Sequence, residues 1–210
     1  MPKILESFTT SENAPTLWIF GYGSLIWNTG FSYDESLKAI AHGYSLRMYQ
    51  GNIFHRGDTI LDDNNYEQLQ PGRVATLIED KQSYACGLVF RVTGRAKINA
   101  ALEHLHEREV LNGYEFNVVP VEALITKDGN ESTARITALT CIANANNEFY
   151  LGPGSLDEIG EQIALAKGCA GPNSDYLFRL VDAIRTLFPN YCDNHIFALE
   201  GSVMERRQRA

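Results

Sequence analysis

Gly21-Tyr22-Gly23-Ser24-Leu25, inside "LWIFGYGSLIWNTGF" (Leu17 to Phe31), is the stretch of this chain best suited to holding a small anion. Glycine reaches backbone conformations closed to other residues and lets a ligand come close. Successive N–H groups in such a turn form a concavity for negative charge, with the Ser24 hydroxyl as a further donor. Ile26 at the sixth position removes a dinucleotide fingerprint, and Tyr22 and Ile26 stand where a nucleophile elbow needs glycines. The competing reading is a tight connection between strands with no ligand, since glycine is common in turns.

The second candidate is a carboxylate. "RAKINAALEHLHEREVLNGYE" predicts a helix over about 95–110, ending before Asn112-Gly113. At about 100° per residue Ile98, Leu102 and Leu105 form one stripe, and Glu109 falls within about 20° of Ile98 along it. Glu103 and Glu107 lie outside that stripe. An inward carboxylate near the negative end of a helix dipole is desolvated and electrostatically disfavoured. Both effects raise its pKa towards the range a general base uses near neutrality. The alternative is a frayed end at which Glu109 pairs with a core arginine.

Weaker candidates surround these two. Arg47, His55 and Arg56 in "RMYQGNIFHRG" suggest a basic wall for an anion. His104 and His106 do not form H-E-x-x-H, because Val110 occupies the second histidine's place, and both are expected on solvated sides of the helix. Cys86, Cys141, Cys169 and Cys192 show no metal-type spacing, so neither a metal nor a cofactor is expected.

The elements that must position these residues follow from periodicity and punctuation. Strands are expected at Leu17–Phe20, Ala39–Tyr49, Arg73–Ile78, Tyr84–Val92, Tyr114–Ile125 and Thr133–Ile142. The polar run "HRGDTILDDNNYEQLQPG" reads as a long surface loop. After Tyr150 helices take over: a capping box at Ser155 and Glu158 starts the first, Asn173–Phe188 carries the second, and Asp193 caps a third. Strands followed by helices, without βαβ alternation, predict an α+β fold: a closed or strongly curved, mostly antiparallel sheet with helices packed outside. Residues 1–16 are expected to be a flexible tail and residues 17–210 a single domain. Asp and Glu outnumber Lys and Arg by 26 to 18, for a net charge of −8, which disfavours nucleic acid and anionic membranes as partners. The polar start, the scattered cysteines and the absence of a long apolar run predict a cytoplasmic protein.

Three stretches in order, "WIFGYGSLIW", "HEREVLNGYE" and "YLGPGSLDEIGEQI", with "HRG" and "PGRVATL" between the first two, resemble the ChaC-type γ-glutamylcyclotransferases, the glutathione-specific branch of that fold. The resemblance implies a small β-barrel with attached helices, and a lyase that splits glutathione into 5-oxoproline and cysteinylglycine without a cofactor. It implies a substrate-holding turn over Ile19, Phe20, Gly21, Tyr22, Gly23, Ser24 and Leu25, and a catalytic glutamate in the Arg108-Glu109 pair. Tyr150 resembles a tyrosine that lines the pocket, and Arg47 is a candidate for the substrate's anionic part. The same turn and Tyr22 are the candidate oxyanion donors. Two rivals share these features: a cyclotransferase for other γ-glutamyl compounds, and a regulatory module that binds a small anion without chemistry.

Overall fold

The structure, a computed structural model, describes residues 15–61 and 67–209, so the expected tail lies outside the described residues up to position 14. In chain order the strands and helices are β1 (Thr16–Gly21), β2 (Glu35–Asn52), β3 (Asp58–Leu61), β4 (Glu67–Gln70), β5 (Gly72–Thr93), α1 (Arg95–Arg108), β6 (Tyr114–Lys127), β7 (Asn130–Ala143), α2 (Leu156–Leu165), β8 (Lys167–Gly168), β9 (Gly171–Pro172), α3 (Asn173–Leu187) and α4 (Asn194–Arg209). The α+β expectation holds, with a mainly antiparallel sheet and four helices among the described residues.

The sheet order is β1-β5-β2-β6-β7. β1 pairs antiparallel with β5 from Thr16 opposite Thr93 to Gly21 opposite Leu88. β2 pairs antiparallel with β6 through Ala39 and Ala123, and β7 returns beside β1, parallel, with Ile19 opposite Leu139. The chain divides into two compact units, residues 1–45 with 79–142 and residues 46–78 with 143–210. In the first, Leu17, Ile19, Phe20, Val89, Phe90, Val121 and Leu139 are buried, and so are Ile98, Ala101 and Leu105 along one face of α1. In the second, the apolar stripes of α2 (Ile159, Ile163), α3 (Leu177, Leu180, Val181, Ile184) and α4 (Ile196, Leu199, Val203) are buried. Each fully buried aliphatic side chain of this kind contributes about 1.5–3 kcal/mol.

Helix ends follow the sequence closely. Ser155 Oγ accepts from the Glu158 N–H at 3.2 Å while the Glu158 carboxylate accepts from the Ser155 N–H at 2.9 Å, a complete capping box. Asp193 Oδ1 accepts from the N–H groups of His195 and Ile196 at 3.0 and 2.9 Å, opening α4 as expected.

Two expectations need correction. The polar run from His55 to Gly72 is not one loop, because β3 and β4 pair antiparallel with Asp58 opposite Gln70 and Leu61 opposite Glu67. Four-residue strands of mixed polarity are too short to show period-two alternation. The strands expected at 73–78 and 84–92 are one strand, β5, which runs through the charged stretch Glu79–Ser83 without a turn. Side chains there are exposed or half-buried, so their polarity reports solvent rather than a chain reversal.

Candidate active site

β1 delivers Gly21 to the end of the sheet, where the backbone must turn at once. A Cβ on Gly21 would stand 2.8 Å from Leu25 Cβ and 2.9 Å from Phe90 Cε2, so the close approach of the turn to β5 requires glycine. Gly23 has φ of 60°, a left-handed conformation that L side chains rarely adopt. From Gly23 the chain makes one 3₁₀ turn to Ile26, and the Ser24 carbonyl accepts from the N–H groups of Trp27 and Asn28 at 3.2 and 2.9 Å. Gly21→Ala is expected to lower stability by about 1–3 kcal/mol, because overpacking forces the turn off its position. Thermal unfolding beside the wild type measures it, and an unchanged Tm contradicts the crowding.

Within this turn the predicted residues have distinct places. Ile19 and Phe20 are fully buried in the strand, and Leu25 is buried under the turn, so these three side chains anchor it. Ser24 is half-buried. The Tyr22 hydroxyl donates to the carbonyl oxygen of Cys141 on β7, fixing the ring against the strand.

Glu109 closes α1, its N–H donating to the Leu105 carbonyl at 2.9 Å. Its own carbonyl accepts from Asn112 and Tyr114 N–H groups at 3.0 and 3.1 Å, which holds the residue between the helix and β6. The side chain is 15% exposed, facing inward with the Ile98–Leu105 stripe as its helical position predicts. Burial raises the carboxyl pKa above its ordinary value, and the neighbouring Arg108 cation partly opposes that rise. The buried Cys141 thiol is pushed well up, first by burial and then by the Glu109 charge, so it is a neutral neighbour.

Arg108 is the residue that sequence reasoning passes over, since it lies about 100° around α1 from Glu109 and off the apolar stripe. Its Nε stands 3.0 Å from Glu109 Oε1, its Nη2 donates to Ser24 Oγ at 2.7 Å, and its Nη1 donates to the Asn28 carbonyl. One guanidinium thus links the carboxylate at the end of α1 to Ser24 in the 3₁₀ turn and to Asn28 just beyond it. Glu109 does pair with an arginine, as the alternative holds, but the same arginine connects it to Ser24 in the glycine turn. His104 departs from the expected solvated side. Gly30 leaves room for its ring, such that a Cβ there would stand 2.0 Å from Nε2, and that nitrogen is buried. His106 is exposed, as expected.

The remaining candidates belong to the second unit. Arg47 donates to the Leu46 carbonyl at 2.8 Å and lies 3.8 Å from Asp193 Oδ2, so its charge already has a partner. Beside that pair the His195 pKa is pushed down to about 4, chiefly by burial and then by the Arg47 charge. Arg56 donates to the carbonyls of Ala170 and Pro172 at 2.9 and 3.1 Å and holds the β8–β9 hairpin. Tyr150 forms a bridge to Gln50 on β2, and the next two N–H groups, of Leu151 and Gly152, donate to the Tyr49 carbonyl at 2.9 and 3.0 Å. Arg73, from "PGRVATL", is 7% exposed; its Nε donates to Gln162 Oε1 at 2.6 Å and its Nη1 to the Met48 and Gly152 carbonyls at 3.0 and 2.8 Å. Among the described residues no His, Cys, Asp or Glu cluster is arranged to hold a metal ion, and no helix is long and apolar enough to cross a membrane.

A family model described as ChaC-like protein matches residues 17–206. The glutathione-specific γ-glutamylcyclotransferase 1 of Danio rerio is 38% identical over 190 residues, covering 90% of this chain and 89% of the relative. The human protein of the same name is 37% identical over 204 residues, covering 96% and 85%. A crystal structure of a γ-glutamyl cyclotransferase specific to glutathione from yeast superposes with a TM-score of 0.77 at 25% identity, covering 93% of this chain and 98% of that one.

Proposed function

Since the chain belongs to the ChaC-like family, we propose that it is a glutathione-specific γ-glutamylcyclotransferase, converting glutathione to 5-oxoproline and cysteinylglycine. The observation that carries the reading is the bridge from Glu109 through Arg108 to Ser24, which ties an inward carboxylate with a raised pKa to a turn rich in backbone donors.

The reaction needs no external nucleophile. The α-amine of the γ-glutamyl group attacks the γ-carbonyl and closes a five-membered lactam, while the amide bond to the cysteinyl nitrogen breaks. Holding the substrate folded for this attack removes much of the entropic barrier, up to about 7–11 kcal/mol in the best intramolecular cases. The N–H groups of the Gly21–Ser24 turn bind the glutamyl α-carboxylate and so aim the amine. An ammonium cannot attack. Glu109 therefore takes its proton, and the acid so formed returns a proton to the departing cysteinylglycine amine. The Tyr22 hydroxyl is engaged with Cys141, which leaves the backbone of the turn as the better candidate for the developing oxyanion.

Residues 17–210 act in this reading as one domain, and the sheet whose last strand returns to its first supports the small barrel of this fold. The four free cysteines suit the reducing cytoplasm. Incubating the purified protein with glutathione tests the proposal. Release of 5-oxoproline and cysteinylglycine in equal amounts is expected, whereas glutathione binding without either product favours the anion-binding module.

A further inference from the structure

Arg108 has more reach than a partner for one carboxylate requires. All three guanidinium nitrogens are engaged: Nε at 3.0 Å from Glu109 Oε1, Nη2 at 2.7 Å from Ser24 Oγ, and Nη1 on the Asn28 carbonyl. Ser24 lies in the 3₁₀ turn and Asn28 two residues beyond it, and Asn28 N–H itself donates to the Ser24 carbonyl at 2.9 Å. A planar fork with donors in fixed directions can hold three acceptors in one arrangement, which a lysine ammonium on a flexible stem does not reproduce. We infer that Arg108 is a positioning residue of the γ-glutamylcyclotransferase reaction, a brace that sets the distance between the base and the turn that grips the substrate.

The inference rests on the proposed base and turn, and adds two separable tasks. The first is geometric. If the turn and the carboxylate drift apart, the amine bound by one is no longer presented to the other, and misplacement by about 1 Å can cost 10²-fold in rate. The second is electrostatic. The groups that face Glu109 are Arg108 beside it and, from β7, the buried Cys141, whose thiol stays protonated; the Tyr22 hydroxyl is turned to the Cys141 carbonyl and the His104 ring packs on Gly30. Arg108 is thus the charge opposing the effect of burial on Glu109. The cation keeps the carboxylate ionised at a pH where burial alone would protonate it, and so keeps the base available.

Arg108→Lys and Arg108→Gln separate the two tasks. The lysine variant keeps the charge and loses the fork; the glutamine variant loses both. For Arg108→Lys we expect a raised KM and a kcat reduced by about 10–100-fold, with the acid limb of the kcat–pH profile near that of the wild type. For Arg108→Gln the same losses are expected, and the limb moves to higher pH, because the cation that opposes the effect of burial is gone. A loss of folding alone does not move the limb of the folded fraction, so the profile distinguishes positioning from stability. Both variants within twofold of the wild type, with the limb unmoved, overturn the inference. Glu109→Gln, assayed in parallel, keeps the outcomes distinct: full activity there overturns the underlying base, whereas an inactive Glu109→Gln beside normal Arg108 variants overturns the brace alone.

Discussion

Glu109→Gln is expected to lower kcat for glutathione by about 10²–10⁴ while the protein still folds and still binds the tripeptide. Gln preserves the shape of the side chain and its place among Ile98, Leu105 and Cys141, but it cannot accept a proton from the substrate ammonium. The pH dependence of the wild type follows from the same residue. Its pKa is raised by burial, so kcat climbs as pH rises through a value above that of an ordinary glutamate, and the variant's residual rate should lack that limb. The sign for stability is opposite. A carboxyl whose folded pKa is raised favours folding most at acid pH, and that contribution is lost as pH rises through the folded pKa, so at neutrality the ionised group is a cost. Removing its charge should leave Tm near that of the wild type at pH 7, despite the loss of the Arg108 ion pair. Product release from glutathione, equilibrium binding and thermal unfolding of the two proteins check these points. Near-normal turnover in the variant removes Glu109 from the role of base.

Arg73→Met should weaken the second unit severely. The aliphatic stem is kept, yet Gln162 Oε1 and the Met48 and Gly152 carbonyls lose their donor together, in a place where water is largely excluded. An unsatisfied buried acceptor costs about 1–3 kcal/mol. Release of a guanidinium whose pKa burial already lowers offsets part of the sum, for a net loss of about 3 kcal/mol. For a chain of this size that is about 6–12 °C in Tm. A Tm within about 2 °C of the wild type, below the shift expected for such a loss, contradicts this account of Arg73.

What can be read in the sequence, and what cannot, divides along a physical line. Glu109 is visible because helical periodicity is local: its angle to Ile98 depends on nothing but the residues between them. Gly21 and Gly23 are visible because a strand that stops and turns at once demands small residues. The role of Arg108 is hidden, because a long side chain reaches back over its own helix to Ser24, a partner that only tertiary structure brings near. Arg47 reads as a free cation for the same reason, since Asp193 meets it only in the folded chain. His104 is misplaced by its helical angle because its burial depends on Gly30, far away in sequence. The β3–β4 pairing escapes notice because four-residue strands of mixed polarity carry no usable period.

The borders between the two units fall inside strands: between Ser45 and Leu46 in β2, Ile78 and Glu79 in β5, and Ile142 and Ala143 in β7. A fragment ending at Ile142 would strand residues 46–78 without the rest of their unit, and one starting at Ala143 would lack β3, β4 and the adjoining strand segments. No single recombination event can therefore exchange or discard one half. The half that carries the carboxylate and the half built on three helices are interleaved along the chain, so no one cut parts them.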